Sequence, residues 1–243
     1  MSFADVGNLG AGGSTANNQA TLTVATVLAL AAGDLAVVAV SVDNASASGG
    51  DQNDVTGVTI GGVAMQKARQ HAQAVTAQTG AAASLWFLNV LSTIASGSNI
   101  VATFGTAASA DATALSSRKF SKAAGNIASK VGDNAGVSTT TAAGSLDVTT
   151  ENLEHLRIRA TGCEYDSTLT PTPTASWTSW TEGASAATGT TTEAVIEVEH
   201  RIVTGTNGAS APTLSAACDS ASVYAAFKEI LSASNKDSMF MVM

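Results

Sequence analysis

The chain has 243 residues, enough for one large β domain or two smaller ones of about 110–120 residues each. Charged residues make up 12%, about half the usual ~25% of soluble domains, and the formal net charge is −8. An acidic balance without a basic stripe excludes nucleic-acid binding by phosphate neutralisation. The remaining Ser, Thr, Gly, Asn and Ala surface is one that can be buried against neighbours at small desolvation cost.

Residues 1–20 are rich in Gly, Ala and Asn and read as an N-terminal arm. Gly7, Gly10, Gly12 and Gly13 do not make a dinucleotide fingerprint, because Thr15 stands where its last glycine belongs and no strand precedes it. The opening Met-Ser-Phe-Ala-Asp-Val lacks the basic and apolar regions of a secretion signal. A first β lobe is expected over 21–122. Thr21-Leu22-Thr23-Val24 alternates, as a strand with one buried face does. The longest apolar stretch, 25–42, carries Gly33-Asp34 at its middle. A charge there is costly in a bilayer, so the stretch reads as two strands and a turn, with no membrane association. Leu35 to Val42 is almost continuously apolar, which predicts a strand buried on both faces. Thr56 to Ile60 ends in the turn signal Gly61-Gly62, and Val63 to Arg69 is the returning strand. Ser84 to Val90, Asn99 to Phe104 and Ala112 to Phe120 complete the lobe.

Residues 123–144 have few large apolar groups and read as a linker or crossover. A second lobe follows over 145–231. Leu153 to Arg159 alternates, placing Leu156 and Ile158 inward and Arg157 and Arg159 outward. Ala194 to Val203 puts Ile196, Val198, His200 and Ile202 on one face, and Ser222 to Ile230 closes the lobe. Residues 232–243 read as a tail. Thr103 to Ser109 resembles Thr213 to Asp219, Asp34-Leu35 matches Asn152-Leu153, and the strand with Trp86 and Leu88 matches that with Ile196 and Val198. With no long stretch of period 3.6, the expectation is an all-β, jelly-roll-like β-sandwich built from two related pseudo-repeats.

Chemistry-bearing motifs are sparse. His71, His155 and His200 form no HxxxH or HExxH spacing, and there is no Gly-x-Ser-x-Gly elbow and no CxxC. No catalytic residue, enzyme activity or cofactor is therefore expected. Cys163 and Cys218 read as small buried hydrophobes, with their pairing left open. Asp43, Asp51 and Asp54 lie in or beside a Ser/Gly-rich connection and are the weak candidates for a structural Ca²⁺, which prefers hard oxygen donors. Trp177 and Trp180 flank Thr178-Ser179. Exposed, they would stack on sugars in a glycan-binding adhesin; buried, they fill the core of the second half.

The segments Ala32 to Val38, Val58 to Met65, Ser84 to Phe87 and Ser109 to Ala112 carry a resemblance, joined by Gly162 to Asp166, Trp177 to Trp180 and Ser220 to Phe227. Together they resemble a jelly-roll-like β-sandwich family found among phage structural genes and bacterial surface proteins. The stretch 151–155 and residues 117–130 depart from that pattern. The resemblance implies a bacteriophage virion structural protein, an exterior capsid decoration or other minor capsid component. Its partners would be major capsid or tail proteins and further copies of itself, and its location the virion. The alternative it leaves is a tail-fibre or cell-surface carbohydrate-binding adhesin. Assembly contacts are expected from the termini, at Phe3, Asn8, Leu9, Phe240 and Met241, and deletion of residues 1–15 is expected to leave the sandwich folded.

Overall fold

In the computed structural model the described residues are 3–15, 19–43, 54–73, 80–105, 112–164, 172–184, 194–206 and 208–231. Among them the chain forms strands and no helix. The first half contains β1 (Ala4–Ser14), β2 (Thr21–Ala25), β3 (Leu35–Asp43), β4 (Val55–Ile60), β5 (Val63–Ala64), β6 (Gln66–Ala72), β7 (Ala81–Asn89), β8 (Asn99–Phe104) and β9 (Thr113–Ser121). The second half contains β10 (Asn126–Ser138), β11 (Glu154–Glu164), β12 (Thr178–Ser179), β13 (Gly183–Ala184), β14 (Ala194–Thr204) and β15 (Asp219–Leu231).

Three antiparallel sheets result. A central sheet runs β1-β9-β3-β7-β6, a small sheet β2-β8-β4-β5, and a third sheet β10-β15-β11-β14-β12, with β13 also on β14. In the first half the pairs β1–β9, β2–β8, β3–β7 and β4–β5 are nested inside one another. That nesting is the rolled-up ribbon of a jelly roll, with β6 added outside β7. The central sheet is covered on both sides. Val38, Val40, Trp86 and Leu115 meet Leu22, Val58, Ile60 and Ile100 of the small sheet. Leu35, Val37, Leu85 and Phe120 meet Ile158, Ile196, Val198 and Phe227 of the third. This is why all nine residues of β3 are buried and why its sequence shows no alternation.

The second half follows the same route through its main sheet: its first strand pairs with its last, the last with β11, and β11 with β14. Among the described residues it has no full second sheet. The isolated bridges Ala142–Thr213, Leu146–Ser210 and Thr172–Thr213 stand in chain positions corresponding to β2–β8 and β8–β4 of the first half. Coil around these bridges covers the outer face of the third sheet.

Three expectations change, and one open alternative is decided. Residues 3–14 are no free arm, since β1 pairs along its length with β9, and Phe3 and Leu9 are buried in the two cores. Deleting residues 1–15 therefore removes a structural strand. Residues 123–144 contribute β10, which pairs with β15 over thirteen residues. Arg157 and Arg159 do point away from the Leu156 and Ile158 core, but both are fully buried, because the coil cover lies on them. Trp177 and Trp180 are buried on opposite faces of the third sheet.

Candidate interaction surface

One end of the molecule is formed by three connections that carry no charged residue: 26–33, 61–65 and 90–98. Backbone bonds bring them together. Leu30 and Ile94 form an antiparallel bridge, Gly33 N–H donates to Val90, and Val90 N–H donates to Asp34. Thr26 N–H donates to Ser98. Gly61, in the left-handed region at φ 57°, lies so close to Ile94 that a Cβ there would fall 2.7 Å from its side chain. Other backbone groups of these loops pair outside them: Val27 N–H donates to Leu9, and Lys119 and Lys122 donate to the carbonyls of Ala29 and Gly33. The loops' outward side chains are Val27 at 63% exposure, Val63 at 41% and Leu91 at 84%. Burying one such aliphatic side chain fully contributes roughly 1.5–3 kcal/mol.

Beside Leu91 a shallow hollow of about 270 Å³ is lined by Ala32, Gly33, Ala124, Gly125 and Ile127. The turn that closes it is tied down. Lys122 Nζ donates to the carbonyls of Gly33 and Asn126, at 2.5 and 2.8 Å. Burial pulls the Lys122 ammonium below its usual range, against the opposing pull of Glu229 and Asp34. Asn89 fixes the start of β10 by donating to Ala128 O at 2.9 Å and accepting from Ala128 N–H at 2.7 Å. Toward the third sheet the same end becomes charged, with the Lys228–Glu151 pair at 2.8 Å.

The edges of the central and third sheets are not open templates. The edge strands β1, β6 and β10 each carry a β-bulge and charged side chains, among them Asp5, Lys67 and Arg69, and Lys130 and Asp133. These are devices that discourage strand addition.

The residues singled out from the sequence fall elsewhere. Phe3 and Leu9 are spent on the chain's own cores, and Asn8 is half-buried on β1 opposite Arg118. Phe240, Met241 and Asp51 lie outside the described residues. Asp43 is buried at the end of β3 and Asp54 half-buried before β4. Among the described residues no group of three His, Cys, Asp or Glu is placed to hold a metal. Trp177 packs edge-on against Tyr224, and Trp180 packs against Phe120. Neither offers a face to a sugar.

Trp180 belongs to a polar chain that runs from the core to the surface. Its Nε1–H donates to His200 Nδ1 at 3.1 Å, His200 Nε2 faces Asp5 at 3.6 Å, and Asp5 accepts two bonds from Arg118, at 2.6 and 2.5 Å. Burial pushes His200 down to about 4 despite Asp5. The order acid–imidazole is that of a catalytic relay, but an indole N–H occupies the nucleophile's place. The chain joins β14 to β1 and has no group to attack a substrate.

On the outer face of the third sheet, Arg157 donates to Asp147, Thr150, Tyr224 and the carbonyls of Val148 and Gly205. Arg159 donates to the carbonyls of Ala143, Gly144 and Ser210 and to Ser222. Glu199 accepts from Thr174 and Ser210. Glu197, on the same face, has neither carboxyl oxygen hydrogen-bonded, and burial pushes it up to about 8, with Glu199 and Glu182 adding to the rise. These groups fasten coil to sheet, and no cleft opens onto them among the described residues.

Val27, Val63 and Leu91 were missed in the sequence because each belongs to a stretch that reads as strand or turn. The available signal was the absence of charge from these three connections. No family model, curated protein or solved structure matches the chain.

Proposed function

We propose that the protein is a structural component of a bacteriophage virion, an exterior decoration or other minor capsid protein, that acts by assembling with major capsid or tail proteins and with copies of itself. The observation that carries this reading is the uncharged end at Val27, Val63 and Leu91. The exposed aliphatic side chains of three neighbouring loops can be buried against a partner without stripping a loop charge of water. The weakly charged composition and the resemblance to jelly-roll virion proteins support it. So does the recurrence of one strand order in both halves, which fits two related lobes fused into a rigid block. The buried positions of Trp177 and Trp180 take away the stacking platform on which the adhesin alternative leaned.

Immunogold electron microscopy of purified particles, with antibodies raised against the chain, tests the proposal. Label distributed over capsid exteriors is the expected result. Particles without label overturn the virion assignment, and label confined to tail tips overturns decoration. A Val27→Asp, Leu91→Asp double variant is expected to remain folded while its occupancy on particles falls at least tenfold.

A further inference from the structure

We propose that Cys163 and Cys218 are a latent disulfide site, two thiols held against each other that close into a cystine when a low-molecular-weight disulfide such as oxidised glutathione is present. The inference is independent of the virion reading. Cys163 lies near the end of β11, opposite Ser220 of β15, and the register continues to Glu164 opposite Asp219. Cys218 precedes β15 by one residue and is two residues from Ser220, so it falls on the same side of the sheet as Cys163. The two side chains form one buried cluster with Val195 and Leu214. Both are free thiols, and they hydrogen-bond to each other.

The surroundings decide how the bond forms. Cys163 sits within a long strand, so its position is set by pairing on both sides. Cys218 sits outside the ladder, after the exposed Ser215 and Ala217, so the adjustment needed for an S–S bond is taken up there. In the closed fold the Cys163 thiol is held well above its ordinary range by its bond to Cys218 and by burial, which keeps the pair unreactive until the 215–218 segment opens. On opening, Cys218 loses its proton and its sulfur attacks oxidised glutathione. An S–S bond to one glutathione forms, and the other leaves as thiolate. The Cys163 sulfur, deprotonated in turn, attacks the Cys218 sulfur of this mixed disulfide and expels the second glutathione. The two protons end on the two glutathione thiolates, the cystine has lost two electrons, and oxidised glutathione has gained them. The product ties the coil cover of the third sheet to β11 through a covalent bond.

The test uses the full chain, incubated and separately refolded in glutathione buffers from fully reduced to fully oxidised. Acid-quenched samples are alkylated in denaturant, weighed intact and digested. The expected result is a species lighter by two hydrogens that takes up no alkylating agent, with a linked peptide pair containing Cys163 and Cys218. Dithiothreitol should reverse it, and its thermal midpoint should be higher by roughly 5–10 °C. A Cys163→Ser variant should stop at the Cys218 glutathione adduct. Two alkylated thiols at every redox poise, after refolding as well as incubation, overturn the proposal. So does a disulfide that appears only between chains on a non-reducing gel. The wild-type measurement suffices even where a serine variant fails to fold.

Discussion

Replacing Glu197 by Gln should make the protein more stable at pH 8, although the substitution removes a native charge. The Glu197 carboxyl ionises ordinarily near 4.5 and is pushed up to about 8 in the fold by burial first, then by Glu199 and Glu182, with Arg159 opposing. Between those values the unfolded chain has lost the proton and the folded chain retains it. Stability therefore falls as pH rises, by about 1.4 kcal/mol per unit, or roughly 5 kcal/mol across the interval. His200 acts in the opposite sense. Burial pushes it from 6.5 down to about 4, so between these values the unfolded chain holds the extra proton and stability rises with pH. The two slopes oppose each other between about 4.5 and 6.5, and above 6.5 that of Glu197 is no longer offset by His200 and removes about 2 kcal/mol by pH 8. Urea unfolding from pH 4 to 9 should show a plateau followed by an alkaline decline in the wild type. In Glu197→Gln the profile should climb to about pH 6.5, and the alkaline decline should be shallower by the Glu197 share. Parallel profiles for the two proteins, or a variant less stable than wild type at pH 8, would refute the reasoning.

Arg159→Met should cost about 3–5 kcal/mol in urea unfolding, because it strands the carbonyls of Ala143 and Gly144 under the coil cover and takes a second donor from that of Ser210; a loss below about 1 kcal/mol would mean the cover finds other donors. Deleting residues 1–14 should remove about 5 kcal/mol or more, since Phe3 and Leu9 leave two cores and β9 loses its partner; an unchanged thermal midpoint would contradict this. Gly183→Ala should cost about 1–3 kcal/mol, because its Cβ would lie 2.1 Å from the Leu115 carbonyl oxygen. Gly57→Ala, which meets nothing within 4 Å, should stay within about 0.5 kcal/mol of wild type in the same denaturation series.

Strands with a hydrophobic signature were legible. Asn99–Phe104 is observed over the residues expected, and Leu35–Asp43 lies buried on both faces as its unbroken apolar run required. The edge strands were not. β1 is built largely from Gly, Ala and Asn, and its φ 136° glycine and two bulges suit a chain that hugs β2, where a Cβ on Gly10 would fall 2.9 Å from the Ala25 carbonyl oxygen. β10 has no alternating apolar face because much of its length is half-exposed at the sheet margin. Pairing fixes such strands, and pairing leaves little trace in side-chain chemistry. The Val63 to Arg69 run was split at Met65, with Val63 and Ala64 completing the small sheet and Gln66–Ala72 joining the central one. The candidate surface was legible only as missing charge, and its assembly into one end depended on loop contacts distant in sequence.

The contrast between β3 and β11 explains the least expected feature, two arginines buried in a strand. Each strand lies at the same place in its half's order, and each has one face on the shared core. The other face of β3 meets the small sheet, whose backbone groups are paired among themselves, so apolar Val38 and Val40 suffice. The other face of β11 meets coil that, among the described residues, is joined by three isolated bridges, and the coil carbonyls of Ala143, Gly144, Val148 and Gly205 turn toward the sheet to meet arginine donors. A buried carbonyl without a donor costs about 1–3 kcal/mol, so a donor-rich side chain is more stabilising there than an apolar one. Arg157 and Arg159 supply those donors, Asp147 and Glu199 balance the charge and collect coil N–H and hydroxyl groups, and Gly208 lets the coil pass against Arg157. It follows that making this face apolar could stabilise the protein only if a real sheet replaced the coil above it.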